Sequence, residues 1–140
     1  MGLDNGITLR SKSQISFPMG VVPSHTFITR EDDPWYEYDL CYWRKCWNIR
    51  GEIADEFGDE FVDCGDTDLT PKGILAIRDR LYNMLIHPSR WNADDDIEGS
   101  IWEYDEIQDT LVRDIINLTW AAEALEKGEI TGYVYFYDSY

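Results

Sequence analysis

The apolar residues Ile107, Leu111, Ile115, Leu118, Ala122 and Leu125 recur every three or four positions and are followed by Lys127-Gly128. This pattern constrains the fold more than any other in the chain. A strand sends successive side chains to opposite faces, whereas a helix stacks such residues into one buried stripe. Gly128 suits the left-handed residue that closes a helix, and Ser100-Ile-Trp-Glu103 or the acids just after it favour the start. A second helix is bounded as clearly. Thr70 is placed to cap free amides, Pro71 sits where no amide hydrogen is missed, Ile74, Ile77, Leu81 and Leu85 give a buried face, and Pro88 stops it.

A further helix is expected upstream, from about Tyr36 to Phe57. Leu40, Trp43, Trp47, Ala54 and Phe57 fall on one stripe with Tyr42, Cys46, Ile49 and Ile53 beside it, and Gly58 follows. Towards both ends the period shortens. Ile7 to Leu9, "HTFITR" from His25 to Arg30 and "GYVYFYDSY" from Gly132 to Tyr140 are rich in aromatic and β-branched residues. Pro18 and Pro23, around "MGVV", mark an irregular or edge segment. With 140 residues, 44% of them hydrophobic, one domain over 1–140 can bury its own core. The expected fold is α+β, three helices packed with a small antiparallel sheet made from the N- and C-terminal segments.

Charge narrows the function classes. The formal net charge is −16, and the acids are clustered. Glu52, Asp55, Glu56, Asp59, Glu60, Asp63, Asp66 and Asp68 form one block; Asp94, Asp95, Asp96, Glu98, Glu103, Asp105, Glu106 and Asp109 form another without Lys or Arg. Such fields repel nucleic acid and attract basic surfaces, including the grooves in which proteins hold DNA or RNA, although acidic faces also serve solubility alone. The candidate partner-binding residues are therefore Asp55, Glu56, Asp59, Glu60, Asp94, Asp95, Asp96, Glu98, Glu103 and Asp105, with Trp91 and Trp102 as aromatic anchors. No apolar stretch reaches membrane-spanning length, "MGLDNGITLRSKSQ" lacks the pattern of a signal peptide, and Gly2 is not followed by a complete myristoylation signal. An odd count of three cysteines argues for reduced thiols, so the expected compartment is a cytoplasm.

The basic, aromatic island "DLCYWRKCWNIR", Asp39 to Arg50, raises the question of metal. Cys64, His25, Cys46 and Cys41 are candidate zinc ligands, with Cys64 and His25 foremost and His87 and Asp63 also available. On one continuous helix Cys41 and Cys46 would point about 140° apart, so they cannot share an ion unless the helix is broken or starts later. "DCGDTD" and "DDD" lack the alternating ligands of a helix-loop-helix calcium site, and a magnesium nuclease site would lie in a field that repels its substrate. There is no nucleophile elbow, phosphate loop or dinucleotide fingerprint, and nothing selects a pair such as Cys64 with His87, so no enzyme is expected. Arg44, Lys45 and Arg50 are expected to pair with surplus acids and steady the fold.

From end to end the chain resembles a group of small bacteriophage and prophage proteins, on "MGLD" at 1–4, "YWRK" at 42–45, "DCG" at 63–65 and "YVYFYDSY" at 133–140. That group usually reads Ile-His after the Tyr-Trp-Arg-Lys, where this chain has Ile49-Arg50. Being small, acidic and phage-like, the chain is also similar to anti-CRISPR proteins that inhibit type II RNA-guided Cas nucleases. The resemblance implies a stoichiometric inhibitor, acting in the cytoplasm of a bacterial host, that occupies basic surfaces meant for guide and target and blocks DNA loading or cleavage. A structural zinc is compatible with it, direct nucleic-acid binding is not expected, and a DNA-mimicking antirestriction protein or a metal-binding phage protein of another regulatory role is the alternative.

Overall fold

Strand β1 (Asp4–Ser11) alternates between two environments. Asn5, Ile7, Leu9 and Ser11 are buried on one side, while Asp4, Gly6, Thr8 and Arg10 belong to the other. The computed structural model describes residues 4–44, 46–87 and 104–139, with the side chains of Trp47 and of 104–107 excepted. Around β1 are β2 (His25–Ile28), β3 (Tyr36–Arg44), β4 (Asp66–Leu69) and β5 (Gly132–Ser139), in the antiparallel order β2-β3-β1-β5-β4. Helices α1 (Trp47–Phe57), α2 (Pro71–Ile86) and α3 (Tyr104–Glu126) pack on the side bearing Ile7, Leu9, Val134 and Phe136. The result is a single-domain α+β fold with strands from both ends of the chain paired at its centre.

The helices at 71–86 and 104–126 follow the sequence closely. The Thr70 hydroxyl accepts the Gly73 amide at 3.0 Å, and Ile74, Ile77, Leu81 and Met84 are buried; Leu85 is only partly so. Pro88 lies outside the described residues. At the end of α3, Gly128 adopts φ 72° while the amides of Gly128 and Glu129 reach back to the carbonyls of Leu125 and Ala124. These bonds cap the last turn in the way the sequence requires. The segment around Pro18 and Pro23 is irregular, as expected, and is tied to α3 through Asn117.

The expected helix from Tyr36 to Phe57 is corrected. Its first half is strand β3, and α1 begins only at Trp47. The cause is a bulge, because Ile7 pairs with Cys41 and Thr8 with Asp39, so Leu40 is an extra residue. Both Leu40 and Cys41 thus turn inward, and the two-residue period changes phase between them. Leu40, Trp43 and Trp47 then imitate a helical spacing although they span a bulged strand and a helix start. Asn117 of α3 donates to the Leu40 carbonyl at 2.8 Å and both donates to and accepts from the backbone of Val22. Beside it, the Trp43 indole N–H donates to Asp114 at 2.8 Å. Strand β4, "DTDL", was also missed, since its inward residues are only Thr67 and Leu69.

Candidate functional site

The three helices of the described residues lie on one face, which leaves the other face of the sheet without a helical layer among those residues. The strand register sets its side chains in rows. Asp66, Tyr137, Gly6 and Tyr42 form one, and Asp68, Tyr135, Thr8, Asp39 and His25 form the next; Tyr133, Arg10, Glu37 and Phe27 form the third. Position 6 requires glycine, since an added Cβ would lie 2.9 Å from the Tyr137 phenol oxygen and clash with the Cys41 carbonyl. Tyr42 donates to Asp4 at 2.9 Å, and the Thr8 hydroxyl donates to Asp39 at 2.9 Å. Burial between its neighbours raises the Asp39 carboxyl above its ordinary range, while Thr8 and His25 act in the opposite direction. Burial likewise pushes the Tyr135 phenol up to about 12 and raises that of Tyr137. These phenols stay neutral donors at physiological pH.

At the β4 edge this face meets the acidic block. Asp55 on α1, Asp59 and Glu60 on the short 3-10 turn after it, and Asp66 and Asp68 on β4 are all exposed. No Lys or Arg occurs in the sequence between Arg50 and Lys72. Glu56, expected to face a partner, is instead held by Arg80 at 2.8 Å, and Arg80 also takes Glu52 at 2.7 Å across an open cleft of about 410 Å³ between α1 and α2. Of the other expected partner residues, Trp91, Asp94, Asp95, Asp96, Glu98, Trp102 and Glu103 lie outside the described residues, as does Lys45. Asp105 is on α3, with its side chain also outside them.

The four expected metal ligands are not gathered together among the described residues. Cys41 is fully buried and its thiol is raised well above its usual range, first by burial and then by Asp114. Cys46 precedes α1 in the core, where burial pushes its thiol up to about 12. Neither belongs to a cluster of three or more metal-ligating side chains among the described residues. His25 is on the edge strand β2, with its Nδ1 3.7 Å from Asp39. Cys64 sits on a turn at φ 53°, grouped with Asp63 and Asp138. That group already contains a cation: Arg50 reaches both Asp138 oxygens at 2.8 and 2.9 Å and Asp63 at 2.6 Å, and the Cys64 amide donates to Asp138 at 3.0 Å. The geometry fits a guanidinium clamp closing the 58–65 turn onto β5, and Arg50 fills the pairing role expected of it.

No protein-family model matches the chain, and no curated protein or solved structure matches it either. No helix among the described residues is long and apolar enough to cross a membrane. The tyrosines of β5 and their acidic neighbours did not figure among the expected site residues. Their signal was the strict alternation in "YVYFYD", which puts Tyr133, Tyr135 and Tyr137 on one face and Val134, Phe136 and Asp138 on the other.

Proposed function

We propose that this is a phage-encoded anti-CRISPR protein, a stoichiometric inhibitor that seats its acidic surface on the basic nucleic-acid channel of a type II RNA-guided nuclease. One observation carries the reading. Within the block from Glu52 to Asp68, Arg80 pairs with Glu52 and Glu56 and Arg50 with Asp63, but Asp55, Asp59, Glu60, Asp66 and Asp68 are exposed, and the sequence from 51 to 71 contains no Lys or Arg. Carboxylates so placed steer the protein towards cationic channels and are repelled by DNA itself, so competition for the channel is the favoured mode of action. The acids of 94–105 and the tryptophans at 91 and 102 belong to the same reading. No zinc is required for it, because Arg50 neutralises the carboxylates that would hold one.

The test is a cleavage assay with purified type II nuclease, adding the protein before or after target DNA. Inhibition is expected when the protein is added first and should weaken once the channel is filled. Absence of inhibition in both orders overturns the proposal. Reversing Asp55, Asp59, Glu60, Asp66 and Asp68 to lysine should abolish inhibition; if it does not, the edge is not the contact. Capture of a restriction enzyme in place of the RNA-guided nuclease would select the antirestriction alternative.

A further inference from the structure

These three rows of the open face differ in how their charge is balanced, and a fourth, Asp4 with Arg44, borders the row of Gly6 and Tyr42. The row of Tyr133, Arg10 and Glu37 is neutralised from within the chain. Arg10 lies 3.1 Å from Glu37, with its guanidinium carbon 5.1 Å from the centre of the Trp35 ring and 5.9 Å from that of Tyr133. Lys12 lies 4.4 Å from the same Trp35 ring and 2.6 Å from Asp33. Rings and carboxylates here hold cations together, as the negative face of an aromatic ring allows. The two adjacent rows repeat that composition, with Tyr42, Tyr135 and Tyr137 among Asp39, Asp66 and Asp68, but no Lys or Arg occupies their strand positions.

We propose that these two rows are a docking surface for an arginine-bearing extended segment of a protein partner. The guanidinium lies on Tyr135 and Tyr137 and pairs with Asp39 or with the acids of β4, as Arg10 already does one row away. Arginine suits the surface better than lysine because its planar group stacks on a ring and binds a carboxylate through two parallel bonds. Charge excludes the other occupants. A nucleic acid is repelled by the carboxylates, and a second copy of this chain brings its own −16. Asp39 gains most from such a partner, since its side chain is only 13% exposed and has given up hydration that a cation would replace. The surface shares Asp66 and Asp68 with the acidic edge proposed above but not Asp55, Asp59 or Glu60, and Asp39 with the tyrosines belongs to it alone, so substitutions there separate the two readings.

The experiment titrates the full chain with an acetylated, amidated peptide of alternating glycine and arginine at physiological salt, followed by calorimetry and by NMR. Asp39→Asn is expected to weaken binding fivefold or more and Tyr137→Leu about as much, whereas Asp55→Asn, which removes the same charge from α1, should weaken it less than twofold. Equal losses for Asp39→Asn and Asp55→Asn would show that the peptide reads only net charge and would overturn the proposal. Should Asp39→Asn fail to fold, the exposed pair Asp66→Asn and Asp68→Asn takes its place with the same expected loss. In the wild-type complex the arginine side-chain protons should move upfield under the tyrosine rings. Unshifted protons would refute the stacking even where affinity falls.

Discussion

The two faces of the central sheet handle polar groups in opposite ways. On the helix side Asp138, Asn117 and Asp114 are buried, and each is engaged by named donors: Arg50 and the Cys64 amide for Asp138, the Val22 amide for Asn117, and the Trp43 indole for Asp114. Asn5 is the exception, fully buried with neither amide atom bonded. On the open side the acids of β4 are exposed, and tyrosines of β3 and β5 stand among them, with Phe27 and Trp35 towards one end. Buried polar groups specify an arrangement because losing a partner is costly there; exposed ones leave a surface free to be read by something else.

The contrast can be broken most forcefully at Asp138, whose side chain is fully buried. Asp138→Ala would leave Arg50, only 17% exposed, without its main counter-charge and is expected to cost about 3–5 kcal/mol in urea unfolding. Asn117→Ala should cost about 2–3 kcal/mol, because it strands the carbonyl that the β3 bulge frees together with the backbone of Val22.

Asp114→Asn acts through pH. Burial raises the Asp114 carboxyl to about 7, against an unfolded value of 3.8, so the folded state holds its proton more tightly. Stability from this group is therefore greatest below about pH 4, declines as pH rises towards 7 and is flat above. The variant keeps an acceptor for Trp43 without the charge. It should match wild type at pH 4 and exceed it by up to about 4 kcal/mol at pH 8. A constant difference across that range would show that Asp114 does not titrate on folding. On the open face, Tyr133→Ser is expected to shift stability by about 0.5 kcal/mol or less. A larger loss would mean that this face is structural and would sharpen the contrast in the other direction.

The contrast also explains what could be read from the sequence. Helices α2 and α3 were legible because cap, period and stop agree at Thr70-Pro71 and at Gly128, and the sheet formed from both chain ends was legible in the aromatic runs. Strand β3 was not, because one extra residue at Leu40 converts alternation into a false helical stripe, and pairing register is a property of two strands at once. At the site, the exposed acids from Asp55 to Asp68 could be found by counting charge. The engagement of Glu56 by Arg80, and of Asp63 and Asp138 by Arg50, could not, since those partners meet only after the chain folds. Asp114 and Asn117 did leave a trace, three positions apart on the same stripe as Leu111 and Leu118, where polar residues imply buried partners.

The middle of the sheet is made from the segments farthest apart in the sequence: Ile7 on β1 pairs with Phe136 on β5, and Asp4 with Ser139. As the polypeptide leaves the ribosome, β1 can pair with β3 early, but β4 gains β5, its one strand neighbour among the described residues, last of all. Closing so long a loop makes this a late and slow step of folding. Until then β4 and one edge of β1 stay unpaired, and the open face lacks its row of tyrosines. The nascent chain therefore acquires its binding surface at the moment its sheet is completed, and a chain that stops before β5 would lose both together.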